Sequence, residues 1–464
     1  MTEKIDNAVD TPHFFFTEPW EPLVVRRGDA LGMSALLDQF ADAVAPDFSN
    51  RIRDGRWVTI LAWCLVQSHE VFHTSGGRAL TTRAQQNERY AWLRPLELMW
   101  VARTISLLEE NDEWRQRSLA GQRRVAPWLD KNQAADRFGM SPEQFRAYRQ
   151  TGMYGGYRRA FRKWPGMTLH GDGWTPGPAT KELARWLDTK LNSARLQLGE
   201  EINTRSTRTG RGKEYSWWLN HWKAFDQSGK NADENTLPRR KDDFTILPEA
   251  ELLKSLIFGA DPRGQKRLMV VRSIQKASAT NHLELCKHLS REFEDDPVIA
   301  RLYSFSRLAD AGIAAMDIIA EVLRAAMMRD KPYVLLKEIA QHKDAERVCK
   351  ELMATAQAWR KGVEMPLRHI EAAHRFAGAI TTDRPIECLR ALLQHHEVYG
   401  GGLRWFVLRN GRVEPRTPPA NSASRYGFRL WSLCRLATQC GVLKTMPAAL
   451  RNDPAYLDEE ENEQ

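Results

Sequence analysis

The sequence predicts a mainly α, multi-domain protein with a helix-turn-helix unit and a small C-terminal β-hairpin. Three observations lead there. Apolar residues recur at helical spacing over Leu31–Val44, Trp57–Phe72 and Tyr90–Leu108. The run from Leu308 to Met328 is apolar around most of its circumference, as a buried central helix must be. Near the C-terminus, Asn410-Gly411 follows an apolar run, the strongest short signal for a hairpin.

At 464 residues the chain is long enough for two or three cores. Thirteen of its sixteen tryptophans lie before residue 223, and this shift helps to place boundaries. Residues 1–200 are expected to form a Trp-rich helical domain, with Pro95 near the start of its third helix or kinking it. Gly166–Pro178 reads as a glycine- and proline-rich loop built from turn chemistry, and Pro178 opens the next helix. Residues 201–245 read as a basic flexible linker, polar around 203–213 and broken by the aromatic cluster Trp217, Trp218 and Trp222. Residues 246–398 form a second helical domain, with helices near 344–360, 365–378 and 386–397 packed around the central one. Residues 399–464 form a hairpin-plus-helix unit, its helix over Arg425–Cys440. The unit ends in an acidic tail, Asp453–Gln464, with six acids and no bases.

The helix-turn-helix expectation rests on Lys131–Gln150 (KNQAADRFGMSPEQFRAYRQ). Ala134, Ala135, Phe138, Met140, Phe145 and Tyr148 fall where such a unit closes on itself. Gly139 is placed to turn the chain. Ser141 reads as an N-cap, Pro142 as the first helical residue and Gln144 as the capping-box partner. The second helix then presents Arg146, Arg149 and Gln150 outward, residue types that read guanine and adenine edges in the major groove.

Charge concentrates in the same region. The chain carries 68 Lys+Arg against 59 Asp+Glu, a net of +9. Between Arg115 and Lys163 twelve basic residues face three acids, so that window holds the whole excess and the rest is near neutral. A localised arginine-rich excess is the footprint of phosphate binding. The candidate DNA-binding residues are therefore Ser141, Gln144, Arg146, Arg149, Gln150, Arg158, Arg159, Arg162 and Lys163.

A competing signal is catalytic. His69-Glu70-Val71-Phe72-His73 matches H-E-x-x-H on an expected helix, where i and i+4 imidazoles share a face for Zn²⁺ and the Glu acts on metal-bound water. A third ligand is needed. Ala79 stands where the longer His-rich form has its last histidine, which leaves Glu88 and the better-spaced Glu97. The buried stripe through Trp57, Ile60, Leu61, Cys64, Leu65, Ser68 and Phe72 leaves both histidines on its flank, and a hydrogen-bonded pair explains them without metal. His395-His396-Glu397 has the wrong order and spacing and reads as a helix end. No cofactor is expected; zinc belongs to the alternative only.

Six scattered cysteines form no C-x-x-C pair, which argues against a zinc ribbon or a disulfide framework and for a reducing cytoplasm. No apolar run is long enough to span a membrane, and the N-terminus has no secretion-signal pattern.

Gly32, Asp38, Phe40, Ala41, Asp42, Pro46, Arg53, Arg56 and Trp57 make a short helix, a proline break and a basic-aromatic helix start. Over Leu31–Glu70 the chain resembles an uncharacterised bacterial protein family. The resemblance implies a cytoplasmic bacterial protein encoded near phage-defence or mobile-element genes, and it transfers no catalytic residue. The expectation is a non-catalytic DNA-binding or DNA-sensing subunit of a bacterial complex, with a helicase or nuclease as partner. The alternatives are a zinc hydrolase and a scaffold for an acidic protein.

Overall fold

The computed structural model describes residues 29–74, 93, 96–106, 108, 113–117, 119, 121–131, 137–140, 156–171, 173–191, 201–204, 212–218, 236–362, 367–401, 405–416 and 427–451. In chain order the first elements are α1 (Ser34–Val44), α2 (Gly55–Thr74), α3 (Gln122–Lys131), β1 (Arg137–Met140), α4 (Arg158–Lys163) and α5 (Pro178–Asp188). Then come β2 (Glu201–Thr204), β3 (Gly212–Trp218), α6 (Ala250–Ile257), α7 (Pro262–Lys276), α8 (His282–Glu292) and α9 (Leu302–Met327). The chain continues through β4 (Val334–Leu335), α10 (Leu336–Ala340), α11 (Ala345–Lys361), α12 (Ile370–Ala379) and α13 (Pro385–Tyr399). It ends in β5 (Phe406–Arg409), β6 (Arg412–Pro415), α14 (Leu430–Gln439) and α15 (Ala448–Arg451). The protein is mainly helical, and the C-terminal hairpin is present.

Two compact units form, neither continuous in sequence. The first gathers Met1–Ala43, Lys276–Phe428 and Ala448–Gln464; the second gathers Val44–Gln275 and Arg429–Pro447. These units cut across the four consecutive segments expected from composition. Composition reports what a stretch contains, whereas a unit is set by which distant stretches share a core.

In the first unit α9 is the central helix. Fifteen of its residues are buried, among them Phe305, Leu308, Ala309, Met316 and Ile319. It begins six residues before the apolar run expected from sequence, at Leu302. Phe305 stacks on Phe40 of α1 at 4.6 Å, with Phe428 at 6.1 Å and Trp359 of α11 at 6.2 Å around it. Gly312 has no room for a Cβ, which would lie 2.7 Å from the Phe376 ring and 2.9 Å from Leu31. The hairpin turns at Asn410 (φ 49°) and Gly411 (φ 74°), both left-handed as a two-residue turn between twisted strands requires. It holds the register Phe406↔Pro415 to Arg409↔Arg412, and β4 adds a third strand on β6 through Val334↔Val413.

The histidines of α13 stand near its C-terminal end, as the sequence suggests, and both are committed to backbone partners. His395 Nε2 lies 3.0 Å from the Leu31 carbonyl and His396 Nδ1 2.9 Å from the Ala30 carbonyl. The Trp405 N–H donates to His396 Nε2 at 3.0 Å, so that nitrogen is the acceptor and Nδ1 carries the proton. Both rings are buried and pin residues 30 and 31 to the end of α13.

In the second unit α2 packs along α5, and Trp63 donates its indole N–H to Asp188 Oδ1 at 2.5 Å. Trp63 meets Trp100 edge to face at 5.8 Å. Arg267, fully buried, donates to the carbonyls of Ile257 (2.6 Å) and Pro46 (3.0 Å). As expected, Pro178 opens α5, where its missing N–H costs nothing.

The helix-turn-helix window needs correction at Gly139. Arg137–Met140 is a strand, antiparallel to β3 in the register Arg137↔Trp218 to Met140↔Tyr215, with β2 on the far side of β3. Gly139 sits opposite Ser216 in this ladder rather than turning between two helices. The partner strand comes from the stretch read as an irregular linker, where Tyr215, Trp217 and Trp218 favour extended backbone. Pairing with a segment some 75 residues away overrides the local helical spacing, and one-dimensional spacing cannot register it. The second helix of the motif lies outside the described residues.

Candidate nucleic-acid interface

The basic helix α4 is built onto a turn that ends at Asp54. Asp54 is 1% exposed and gathers four segments. Its Oδ1 accepts from the Arg56 N–H (3.0 Å) and from Gln439 Nε2 (3.2 Å), and its Oδ2 from the Arg239 N–H (2.8 Å). The Tyr157 hydroxyl reaches its carbonyl at 3.4 Å. Burial, then the Asp54 charge, pushes the Tyr157 phenol well above its ordinary pKa, so it stays a neutral donor. Gly156 explains how close the approach is: a Cβ there would fall 2.5 Å from Arg51 Cβ.

Tyr157 leads directly into α4. Ala160 and Phe161 are its buried face, and Trp164 at its C-cap packs on Phe48 at 5.4 Å. Arg162 and Lys163 are exposed, while Arg158 and Arg159 are half-buried. The Arg158 guanidinium sits 5.2 Å over the Trp174 ring, and Arg162 Nε points at the Gly171 carbonyl, 3.4 Å away. The glycine- and proline-rich loop is the turn device expected from sequence. Thr168 Oγ1 donates to the Phe161 carbonyl (2.8 Å) and accepts from the Gly173 N–H (3.1 Å), and Thr180 Oγ1 closes on the Met167 carbonyl (2.5 Å). The loop is thus hydrogen-bonded to α4, and Arg162 and Lys163 are exposed.

Of the nine candidate DNA-binding residues, Arg158, Arg159, Arg162 and Lys163 are thus collected on one short helix. Ser141, Gln144, Arg146, Arg149 and Gln150 lie outside the described residues.

Around Asp54 stand basic residues outside the candidate DNA-binding set: Arg51, Arg53, Arg239, Arg240, Lys241 and Arg435. The runs RIRDGR (51–56) and RRKDD (239–243) were the available signal, but neither lies in the basic window and each looks like an ordinary solvated turn. Arg435 is fully buried in α14 and donates Nη2 to the Arg240 carbonyl at 2.6 Å. Its guanidinium faces the rings of Trp431 (5.1 Å) and Phe244 (5.9 Å). Burial lowers its pKa, partly offset by the charge of Asp54. Burial and the Arg53 charge likewise hold the Lys241 ammonium below its ordinary value.

The H-E-x-x-H signal falls on α2. His69 is half-buried and Glu70 exposed; the side chain of His73 lies outside the described residues. Burial, then the Asp188 charge, raises the Glu70 carboxyl above its usual range. Glu97 is buried, and its charge adds to burial in raising the Cys64 thiol. Among the described residues no group of three or more His, Cys, Asp or Glu side chains is placed to hold a metal ion. Nor is any described helix long and apolar enough to cross a membrane.

No family model, curated protein or solved structure matches the chain.

Proposed function

We propose that the protein is a DNA-binding or DNA-sensing subunit without catalytic activity of its own, working in a bacterial multi-protein complex. One observation carries the reading. The basic window that holds the chain's entire net charge ends in α4, and α4 turns Arg162 and Lys163 to solvent while its apolar face is anchored by Phe161 and Trp164. A rigidly held cationic helix flanked by further arginines suits the phosphate backbone, which dominates affinity for nucleic acid. Service beside a helicase or nuclease in phage defence extends this reading, on the resemblance of Leu31–Glu70.

Titration of the purified protein with duplex DNA at several salt concentrations tests it. Binding should weaken steeply, with a log–log slope of about −0.9 per phosphate neutralised. Absence of binding at low salt would contradict the reading and leave a scaffold for an acidic protein as the better account.

A further inference from the structure

The tip of the C-terminal hairpin sets two arginines side by side. Arg409 and Arg412 flank the turn and are directly opposite each other in the β5–β6 ladder. That register puts their Cβ atoms about 5 Å apart on one face, where like charges repel. Both are exposed, and neither has an ion pair or a side-chain hydrogen bond among the described residues. Glu414, two positions along β6 on the same face, makes no ion pair with Arg412, and the exposed Arg416 follows two positions further.

The tip is braced from behind and open in front. The Gly411 carbonyl accepts the Leu336 N–H at 2.9 Å, and Leu335 of β4 pairs with Arg412. The Arg412 guanidinium lies 4.5 Å over the ring of Tyr333, a cation–π contact that orients the fork. A Cβ on Gly411 would meet nothing within 4 Å. The fold thus holds two guanidinium groups together, against their repulsion, at a point where a ligand can reach both.

An anion between them reverses the sign of that interaction. Phosphate suits best, since its oxygens take the planar fork of arginine two at a time. Phosphates of a duplex repeat at a fixed spacing that a braced pair can match, whereas carboxylates of an acidic peptide sit on flexible stems. A two-stranded ribbon also fits the major groove, about 12 Å wide, with phosphates along its rims.

We propose that Arg409 and Arg412 form a duplex-DNA contact on the first unit, meeting backbone phosphates, in addition to α4 of the second unit. The inference rests on the DNA reading above and extends it to a second surface.

Titration of the full chain and of Arg409→Gln/Arg412→Gln with duplex DNA across a salt series tests it. The variant should bind more weakly at low salt, with the log–log slope lower by about 1.8 if each arginine neutralises a phosphate. Its thermal midpoint should stay level or rise, because a like-charged pair has been removed. Lys343→Gln/Lys350→Gln removes the same charge from exposed positions in and just before α11, and should leave the slope nearly unchanged. Equal slopes and affinities in the parent and the hairpin variant would overturn the contact. So would an equal loss in the two variants, which would report net charge alone.

The hairpin and α4 fail separately. DNA binding weakened by Arg162→Glu/Lys163→Glu and untouched by the hairpin variant keeps α4 and removes the hairpin. The reverse pattern keeps the hairpin and removes α4. A parent protein that binds polyglutamate but no duplex DNA overturns the hairpin contact and the DNA reading together.

Discussion

Arg56 and Glu249, 193 positions apart, form a two-pronged ion pair with no solvent access, Nε to Oε1 at 2.5 Å and Nη2 to Oε2 at 2.8 Å. Thr59 adds a hydroxyl to the same carboxylate at 3.1 Å. The pair joins the first turn of α2 to the residue that leads into α6, and so fixes the frame on which the Asp54 turn stands.

Removing one partner of such a pair leaves an uncompensated buried charge. Glu249→Gln should therefore destabilise the second unit by about 3–5 kcal/mol. Denaturant unfolding of the variant checks this, and a loss below about 1 kcal/mol would mean that water already reaches Arg56.

Phe305 is the hub of the first unit, in ring contact with Phe40, Phe428 and Trp359. Phe305→Ala should cost about 3–5 kcal/mol. Met328, 88% exposed at the end of α9, is the matched control. Met328→Ala should change stability by no more than about 0.5 kcal/mol. Equal effects from both variants would put α9 the wrong way round.

His395 gives the first unit a pH dependence. Burial lowers its pKa most, with Arg375 and His396 adding to the shift and the Leu31 carbonyl and the Asp29 charge opposing it. The folded protein thus binds fewer protons at this site than the unfolded chain. Its contribution is complete above the unfolded value of about 6.5 and is lost as pH falls through the lower folded value. Melts between about pH 7.5 and 5 should show a falling midpoint, and His395→Gln should flatten that fall. An unchanged slope in the variant would remove His395 as the cause.

Much of the fold was legible because local signals agreed with tertiary ones. The helices expected near 344–360 and 386–397 appear as Ala345–Lys361 and Pro385–Tyr399, each with a buried stripe at helical spacing. The turn at Asn410-Gly411 was fixed by two residues that accept left-handed backbone. What escaped was the long-range part. The strand at Arg137–Met140 exists through its pairing with Gly212–Trp218. The Asp54 turn likewise draws Arg239 and Gln439 from 185 and 385 positions away. Arg158, Arg159, Arg162 and Lys163 could be found from charge density alone; the meeting of Arg435 with the Arg240 carbonyl could not, since only the fold brings positions 195 apart together.

On the proposed DNA reading, α4 meets the phosphate backbone through its exposed basic side chains. Arg162→Glu/Lys163→Glu changes two exposed side chains and should leave the thermal midpoint nearly unchanged. Duplex-DNA affinity measured across a salt series should fall in this variant, with the log–log slope reduced by about 1.8 if both side chains neutralise a phosphate. A folded variant that binds DNA with the parent affinity and the parent slope would rule out α4 as the DNA contact.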